Sequence, residues 1–246
     1  MKHVLTIAGS DPSGGAGIQA DLATFSAFGV KGLSAITAVT VQDGGSVNGL
    51  FPIPPSFVLQ QIEALAEAGT IDAIKIGMLA KGEIVTAIAG VLKRLDIANV
   101  VLDPVITSSS GFPLLEKSGL PALRSLLSGL LIVTPNLLEA SLLTGRKVVT
   151  EDDMGEAAIR IGEMGPRYVL IKGGHLSGDA VDLLYDGDVV TQYVSARIGR
   201  ELHGTGCILS AALAACLAEG EEMGRAVARS KNYVSDCLRG TDSSGA

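Results

Sequence analysis

The sequence predicts an α/β fold of three layers, in which a mostly parallel sheet lies between two layers of helices. Short runs of apolar, β-branched residues recur along the 246-residue chain, and each leads through a glycine-rich turn into a helical stretch. Most of these runs are apolar without alternation, which is typical of strands buried on both faces. Because we find no internal repeat, linker or low-complexity tract, we expect one domain over residues 1–246.

Six apolar runs predict the parallel strands, and a later segment predicts an antiparallel hairpin. The hairpin segment is AVDLLYDGDVVTQYV, residues 180–194, and its Asp186-Gly187 pair is typical of a tight turn. The predicted parallel strands cover residues 4–9, 33–41, 73–78, 99–105, 130–134 and 168–174.

Helical stretches alternate with these strands, and two of them close the chain. In such sheets ligands bind beyond the carboxyl ends of the strands, so we expect the functional residues directly after the strands. The predicted helices lie near residues 17–28, 55–68, 83–95, 136–144, 151–164, 206–219 and 221–238.

Composition excludes several classes of function. The net charge is −7 and no basic stripe occurs, which argues against nucleic acid or an anionic membrane surface as a partner. The longest charge-free runs are 44–62 and 202–218. The first contains three prolines, and the second leaves about 12 helical residues where a membrane span needs about 20.

Two further features predict a cytoplasmic location. The first residues, MKHVLTIAGSD, turn polar too soon for a signal peptide. The three cysteines are an odd number without the spacing of metal ligands, which argues against a disulfide scaffold.

The first three strands end in residues that suit a small ligand. The first strand leads into GSDPSGGAGIQAD, whose glycines expose backbone N–H groups before a helix, and Asp21 lies one turn into that helix. Asp21 either is a surface charge or points back to the strand ends. Gln42 ends the second strand, and its amide either is solvated or both donates and accepts at the edge of an aminopyrimidine-like ring. Met78 ends the third strand, where it packs in the core or walls a flat ring.

The next strands end in charged groups. Asp103 follows an apolar strand, where a carboxylate is costly unless it meets a cation or donors, so it is a candidate ligand of magnesium or water. Asn136 and Glu139 lie three residues apart on one helical face, either as a helix cap or with Glu139 holding hydrated Mg²⁺ near a triphosphate. Lys172 either is solvated or reaches phosphate oxygens.

The segment HGTGC, residues 203–207, carries the most specific signal. Gly204, Thr205 and Gly206 leave backbone N–H groups free at the start of an apolar helix. Such a helix N-terminus can bind an anion or a phosphoryl group during its transfer. Cys207 then stands beside this site. The helix N-terminus is expected to lower the pKa of its thiol, so that it accepts or steers the proton of an attacking hydroxyl.

These segments together resemble the hydroxymethylpyrimidine/phosphomethylpyrimidine kinases of thiamine biosynthesis, which belong to the ribokinase-like superfamily. The resemblance spans about residues 3–238. It implies a three-layer ribokinase-like fold and an ATP- and Mg²⁺-dependent kinase, commonly a homodimer. Such an enzyme phosphorylates the alcohol 4-amino-5-hydroxymethyl-2-methylpyrimidine and then its monophosphate. The motifs that carry the resemblance occur in the order AGSDPSGGAGIQADL, KIGML, VLDPV, TPNLLEA, KGGH and HGTGC.

The resemblance also implies roles for individual residues. It assigns an anion hole to residues 204–206, with Cys207 where many ribokinase-like sugar kinases carry an aspartate base. It implies an ATP and magnesium region at Asn136, Glu139 and Lys172. The residues that it places around the pyrimidine ring are Gln42, Gly9, Asp21, Met78 and Val105.

Some positions depart from the family pattern, and two other functions stay open. Residues 106–111 read ITSSSG where the family commonly has a lysine in a segment of the AKSG type, and Asp43 stands where an asparagine is frequent. The missing lysine bears on the second phosphorylation. A pyridoxal kinase is one alternative, because pyridoxal is also a flat ring with a hydroxymethyl group. A pyrimidine-binding protein with a decayed kinase site is the other.

Overall fold

Nine strands form one sheet with helices on both faces, in a computed structural model that describes residues 1–174, 176, 178–200 and 202–240. The predicted motif residue His175 and the last six residues lie outside the described part. The strands are β1 (His3–Ser10), β2 (Lys31–Gln42), β3 (Val47–Pro52), β4 (Ala73–Ile76), β5 (Val100–Leu102), β6 (Ile132–Val133), β7 (Tyr168–Lys172), β8 (Ala180–Tyr185) and β9 (Val190–Ser195).

Helices connect most of the strands as far as β7, and two more helices close the described chain. None of them is both long and apolar enough to cross a bilayer. The helices are α1 (Gly17–Ala27), α2 (Pro55–Ala68), α3 (Gly82–Leu95), α4 (Leu120–Leu126, after a 3₁₀ turn at Lys117–Gly119), α5 (Leu137–Thr144), α6 (Glu151–Gly162), α7 (Thr205–Ala218) and α8 (Met223–Arg239).

The sheet has the order β3-β2-β1-β4-β5-β6-β7-β8-β9. The six strands from β2 to β7 in this order pair in parallel, whereas β3, β8 and β9 pair antiparallel with their neighbours. The predicted three-layer α/β fold and its late hairpin are therefore confirmed. The two elements that the sequence analysis missed are β3 and α4.

Successive side chains along each strand point to opposite faces of the sheet, which gives two apolar cores. On one face, Ile74 and Ile76 of β4 pack with α2 to α6. On the other face, Ala73 packs with α1, α7 and α8. In α7 every residue from 209 to 218 is buried, so this helix lies deep in its layer, with its N-terminus at the carboxyl ends of the strands.

Candidate active site

One cavity of about 180 Å³ lies at the carboxyl ends of the central strands. It brings together nearly all of the residues that the sequence analysis selected. The predicted residues that line it are Gly9, Gln42, Met78, Asp103, Val105, Asn136, Glu139, Lys172, Gly204, Thr205, Gly206 and Cys207.

The turn before α7 forms one end of the cavity. Gly204 is the N-cap residue, with φ at +82°, and no side chain caps this helix. A Cβ on Gly204 would lie 2.0 Å from the carbonyl oxygen of Gly15, so the turn requires glycine for both its backbone angle and its space. Helix geometry leaves the N–H groups of Thr205, Gly206 and Cys207 without partners inside the helix. This end of the cavity is thus suited to an anion.

Opposite charges meet beside this turn. Lys172 donates to Asp103 Oδ1 at 2.6 Å. Burial lowers the pKa of the Lys172 ammonium, but the Asp103 and Glu139 carboxylates outweigh it, and the net pKa lies above its ordinary value. A Cβ on Gly206 would stand 3.1 Å from Lys172 Nζ, so the ammonium lies directly against the turn. The lysine is therefore placed to meet an anion bound there.

Asn136 and Glu139 form a reciprocal helix cap at the start of α5. The Glu139 N–H donates to Asn136 Oδ1 at 2.9 Å, and the Asn136 N–H donates to Glu139 Oε2 at 2.8 Å. Burial and the nearby Asp103 carboxylate raise the pKa of Glu139 to about 7, against the opposing effect of Lys172. The capping role weighed in the sequence analysis is thus present, and it leaves both residues on the cavity wall.

Asp103 and Glu139 have the chemistry for a magnesium ion. Both offer carboxylate oxygens on the cavity wall, and the Asp103 carboxylate disfavours the ionised form of Glu139, an effect that a cation would relieve. Among the described residues, no three acidic, histidine or cysteine side chains gather to hold a metal on their own. Two carboxylates nevertheless suit Mg²⁺, which commonly completes its shell with water and phosphate.

The other end of the cavity is more apolar. Met78 packs directly against Gly9, since a Cβ on Gly9 would lie 2.0 Å from Met78 Cε. Val105 adds a second apolar wall. Gln42 is half-buried at the end of β2, and no side-chain hydrogen bond among the described residues involves its amide. A polar ring edge would find both a donor and an acceptor there.

Asp21 does not line the cavity, so the structure gives no direct ring contact from this residue. Its side chain is fully buried behind the cavity, where Oδ2 accepts from Thr6 Oγ1 at 2.6 Å and from Lys75 Nζ at 2.8 Å. Burial acts to lower the pKa of Lys75, but the Asp21 carboxylate outweighs it and the pKa is raised. Lys75, rather than Asp21, reaches the cavity wall.

The expected shift of the Cys207 pKa is wrong in direction. Burial raises the pKa of this thiol to about 11, and the Lys75 ammonium opposes the effect without overcoming it. The N-terminus of α7 was expected to favour the thiolate. Desolvation and the neighbouring carboxylates of Asp103 and Asp21 favour the neutral thiol instead.

Three titratable residues of the cavity wall were missed by the sequence analysis. Lys75 is a charged residue inside the apolar run AIKIGM, which was a usable signal because an isolated buried lysine is costly. Asp11 is buried and accepts from the N–H groups of Ser13 and Ala16, both at 2.8 Å, so it shapes the glycine loop before α1. His203 lies on the same wall, with Nε2 at 3.5 Å from Asp11 Oδ2.

Comparison with known proteins agrees with this geometry. A family model described as phosphomethylpyrimidine kinase matches residues 11–246. The hydroxymethylpyrimidine/phosphomethylpyrimidine kinase of Streptomyces coelicolor is 44% identical over 237 residues, which cover 96% of this chain and 88% of that protein. A thiamine biosynthesis bifunctional protein of Geobacter sulfurreducens is 43% identical over 239 residues. There the match covers 96% of this chain but only 49% of the longer protein.

Two solved structures share the whole architecture. The phosphomethylpyrimidine kinase of Clostridium difficile superposes with a TM-score of 0.86 at 41% identity, covering 97% of this chain and 100% of that one. An ADP complex of Bacillus subtilis pyridoxal kinase gives a TM-score of 0.88 at 40% identity, covering 96% and 90% of the two chains. Sequence and structure agree that this chain belongs to the phosphomethylpyrimidine kinase family.

Proposed function

We propose that this protein uses ATP to phosphorylate the hydroxymethyl group of 4-amino-5-hydroxymethyl-2-methylpyrimidine, and then phosphorylates the resulting monophosphate. The observation that carries the proposal is a single cavity with two chemically different ends. One end is an apolar slot beside Gln42, and the other is the uncapped turn 204–207 beside Lys172. A small ring alcohol and a terminal phosphate would meet between them.

The ring end orients the substrate. Gln42 is proposed to pair with the aminopyrimidine edge, while Met78 and Val105 hold the ring faces. Gly9 leaves the room that Met78 occupies, because any larger residue would collide with Met78 Cε. A ring held in this way would direct its hydroxymethyl group toward the turn before α7.

The phosphate end stabilises charge. The N–H groups of residues 205–207 are proposed to hydrogen-bond the oxygens of the transferred phosphoryl group, and Lys172 to neutralise them. Asp103 and Glu139 would hold Mg²⁺, with Asn136 fixing Glu139 through the helix cap. A bound Mg²⁺ would supply charge neutralisation on the phosphate oxygens.

Cys207 is proposed to position the attacking hydroxyl more than to ionise it. With a pKa of about 11, the thiol is almost wholly protonated at neutral pH. Phosphoryl transfer usually has a loose transition state, in which early removal of the hydroxyl proton matters little. A neutral thiol can still accept a weak hydrogen bond and exclude water at this point.

The loop 106–111 bears on the second phosphorylation. Thr107, Ser108 and Ser109 line the cavity there, in place of the lysine common in the family. We propose that these hydroxyl groups meet the phosphate of the monophosphate substrate. Because these hydroxyl groups carry no charge, we expect them to bind the monophosphate more weakly than a lysine at this loop would.

A pyridoxal kinase is a second candidate, favoured by the TM-score of 0.88 with the Bacillus subtilis enzyme. A non-catalytic pyrimidine-binding protein is a third. Steady-state assays with the pyrimidine alcohol, its monophosphate and pyridoxal as separate substrates test all three. We expect the highest kcat/KM with the pyrimidine alcohol. Faster turnover of pyridoxal would favour the second candidate, and pyrimidine binding without ATP consumption in the presence of Mg²⁺ the third.

We also propose a cytoplasmic homodimer with one domain per chain. The three cysteines are an odd number without the spacing of metal ligands, as suits a reducing compartment. Val39, Val41 and Phe51 on the paired strands β2 and β3 expose apolar surface that a second copy would cover. Light scattering of the purified protein tests the dimer, and a mass of one chain would reject it.

A further inference from the structure

A row of polar side chains crosses the sheet beneath the N-terminus of α7. It lies on the face that packs against α1, α7 and α8, where Leu170 and Leu184 belong to the apolar core. Residues two apart in a strand share a face, so Lys172 and Asp182 lie on this face too. Six neighbouring strands contribute one polar residue each to the row, from within the strand or directly after it, namely Thr6, Lys75, Asp103, Thr134, Lys172 and Asp182.

The charged members of this row take part in three ion pairs, two of which are completed by residues of α1 and α8. The outer pairs are Asp21–Lys75, at 2.8 Å, and Asp182–Lys231, at 2.5 Å. Between them lies the pair of Lys172 and Asp103, at 2.6 Å. Lys172 and Asp103 line the cavity, whereas neither Asp182 nor Lys231 does.

Lys172 stands between two carboxylates. Asp182 is its direct partner across the antiparallel strands β7 and β8, and directly opposed residues have Cβ atoms about 5 Å apart. The ammonium nevertheless bonds Asp103. Asp182 is already engaged, since Oδ1 accepts from the Gly173 N–H at 3.0 Å and Oδ2 accepts from Lys231 Nζ.

We propose that Lys231 is a positioning residue for nucleotide binding. By neutralising Asp182, it leaves Lys172 directed to Asp103 and to the phosphates at the turn before α7. This inference rests on the proposed function, in which Lys172 meets those phosphates. It assigns to the last helix a role in the active site, although that helix does not reach the cavity.

Removal of the charge on Lys231 would leave a carboxylate with 7% exposure and no countercharge. Buried charges of opposite sign attract strongly, and an unpaired one is costly. Lys172 is the cation directly opposite Asp182 in the strand register and can replace Lys231 as its partner. The ammonium would therefore turn from Asp103 to Asp182, away from the anion site.

The variant Lys231→Gln tests this exchange, because glutamine keeps a hydrogen-bond donor for Asp182 but no charge. We expect ATP to bind about tenfold more weakly, measured by calorimetry, as for loss of one hydrogen bond to a charged group. The double variant Asp182→Asn/Lys231→Gln is expected to restore the affinity. Asparagine still accepts from Gly173, and it no longer competes for Lys172.

Arg225→Gln is the matched control, since it removes a positive charge from the same helix at a side chain that is 81% exposed. Its ATP affinity is expected to equal that of the wild type. Unfolding temperatures of all the variants separate loss of folding from loss of binding. Equal ATP affinity in Lys231→Gln and wild type, or equal weakening in the single and the double variant, would overturn the proposal.

A crystal structure of Lys231→Gln without nucleotide decides the same question independently of catalysis. We expect Lys172 Nζ to bond Asp182 in that structure. An ammonium that stays on Asp103 would contradict the inference. Failure of the wild-type protein to bind ATP would reject the proposed function, and the crystal structure would still decide the exchange.

Discussion

The carbonyl oxygen of Gly15 lies 2.0 Å from the point that a Cβ on Gly204 would occupy. The loop before α1 therefore packs tightly against the turn before α7. The substitution Gly204→Ala would add both a collision with backbone and the strain of a positive φ. We expect kcat/KM for the pyrimidine alcohol to fall on the order of 100-fold, because the N–H groups of the turn lose their alignment.

Gly220→Ala is the control for this prediction. Gly220 ends the same helix with φ at +85° and has no atom within 4 Å of an added Cβ. Alanine there is expected to cost about 1–2 kcal/mol of stability through backbone strain alone and to leave turnover unchanged. Activity in Gly204→Ala equal to that in Gly220→Ala would show that the contact with Gly15 is unimportant.

The raised pKa of Cys207 gives a prediction for its reactivity. A thiol with a pKa of about 11 is only about 0.1% thiolate at pH 8, against roughly a quarter for an ordinary cysteine. Alkylation of Cys207 by iodoacetamide, followed by peptide mass spectrometry, should therefore be slow at pH 8 and rise about tenfold per pH unit. An alkylation rate that levels off below pH 9 would instead support the lowered thiol pKa expected at a helix N-terminus.

The variant Cys207→Ala tests the same residue by turnover. Because the thiol is protonated at neutral pH, we expect kcat to fall by about tenfold or less, short of the roughly 100-fold that a general base typically contributes. Affinity for the pyrimidine is expected to change less than turnover. Steady-state kinetics measure both, and a 1,000-fold loss of kcat would contradict the positioning role.

The buried carboxyl group of Glu139 predicts a pH dependence of stability. Its pKa rises from 4.5 to about 7 in the folded protein, so the folded state binds more protons than the unfolded state between these values. The stability that this group contributes is full below pH 4.5 and is lost as the pH rises through 7, on the order of 3 kcal/mol. The variant Glu139→Gln should lose this decrease in the free energy of unfolding between pH 4.5 and 7, measured by chemical denaturation at several pH values. The same decrease in both proteins would refute the raised pKa of Glu139.

The amide of Gln42 is expected to bind the ring edge. Gln42→Leu should weaken binding of the pyrimidine alcohol by about 1–3 kcal/mol, because the polar edge would lose its partner in a half-buried slot. Gln192→Leu is a suitable control, since Gln192 is exposed on β9 and its side chain donates to Glu151 Oε2 at 3.3 Å, outside the cavity lining. Equal calorimetric affinity in Gln42→Leu and wild type would remove Gln42 from the site.

Most of the fold followed from local patterns in the sequence. The helix predicted at 55–68 has those bounds, and the Asp186-Gly187 turn joins the predicted hairpin. Strand β3 was missed because VNGLFP contains glycine and proline and pairs only at the sheet edge, where proline is tolerated. Helix α4 was missed because it is a single short segment of seven residues that begins after a 3₁₀ turn.

The site residues were predictable where they end a strand or directly follow one. Gln42 and Lys172 end their strands, Asp103 comes one residue later, and all reach the cavity by this geometry alone. The pairings between side chains were not predictable, because they depend on register and packing. The ion pair of Asp21 with Lys75 behind the cavity is one such pairing.

Desolvation in the fold also escapes prediction from sequence. The N-terminal position of Cys207 in α7 was readable, and it indicated a lowered pKa. The surrounding burial and carboxylates reverse that direction. The sign of such a shift follows from neighbours that are distant in the chain.

A crystal structure with a non-hydrolysable ATP analogue and the pyrimidine alcohol tests the central claim most directly. We predict that the terminal phosphate accepts hydrogen bonds from the N–H groups of residues 205–207, with the hydroxymethyl oxygen in line and about 3–3.5 Å from phosphorus. Phosphates bound away from this turn, or a ring bound away from Gln42, Met78 and Val105, would contradict the account.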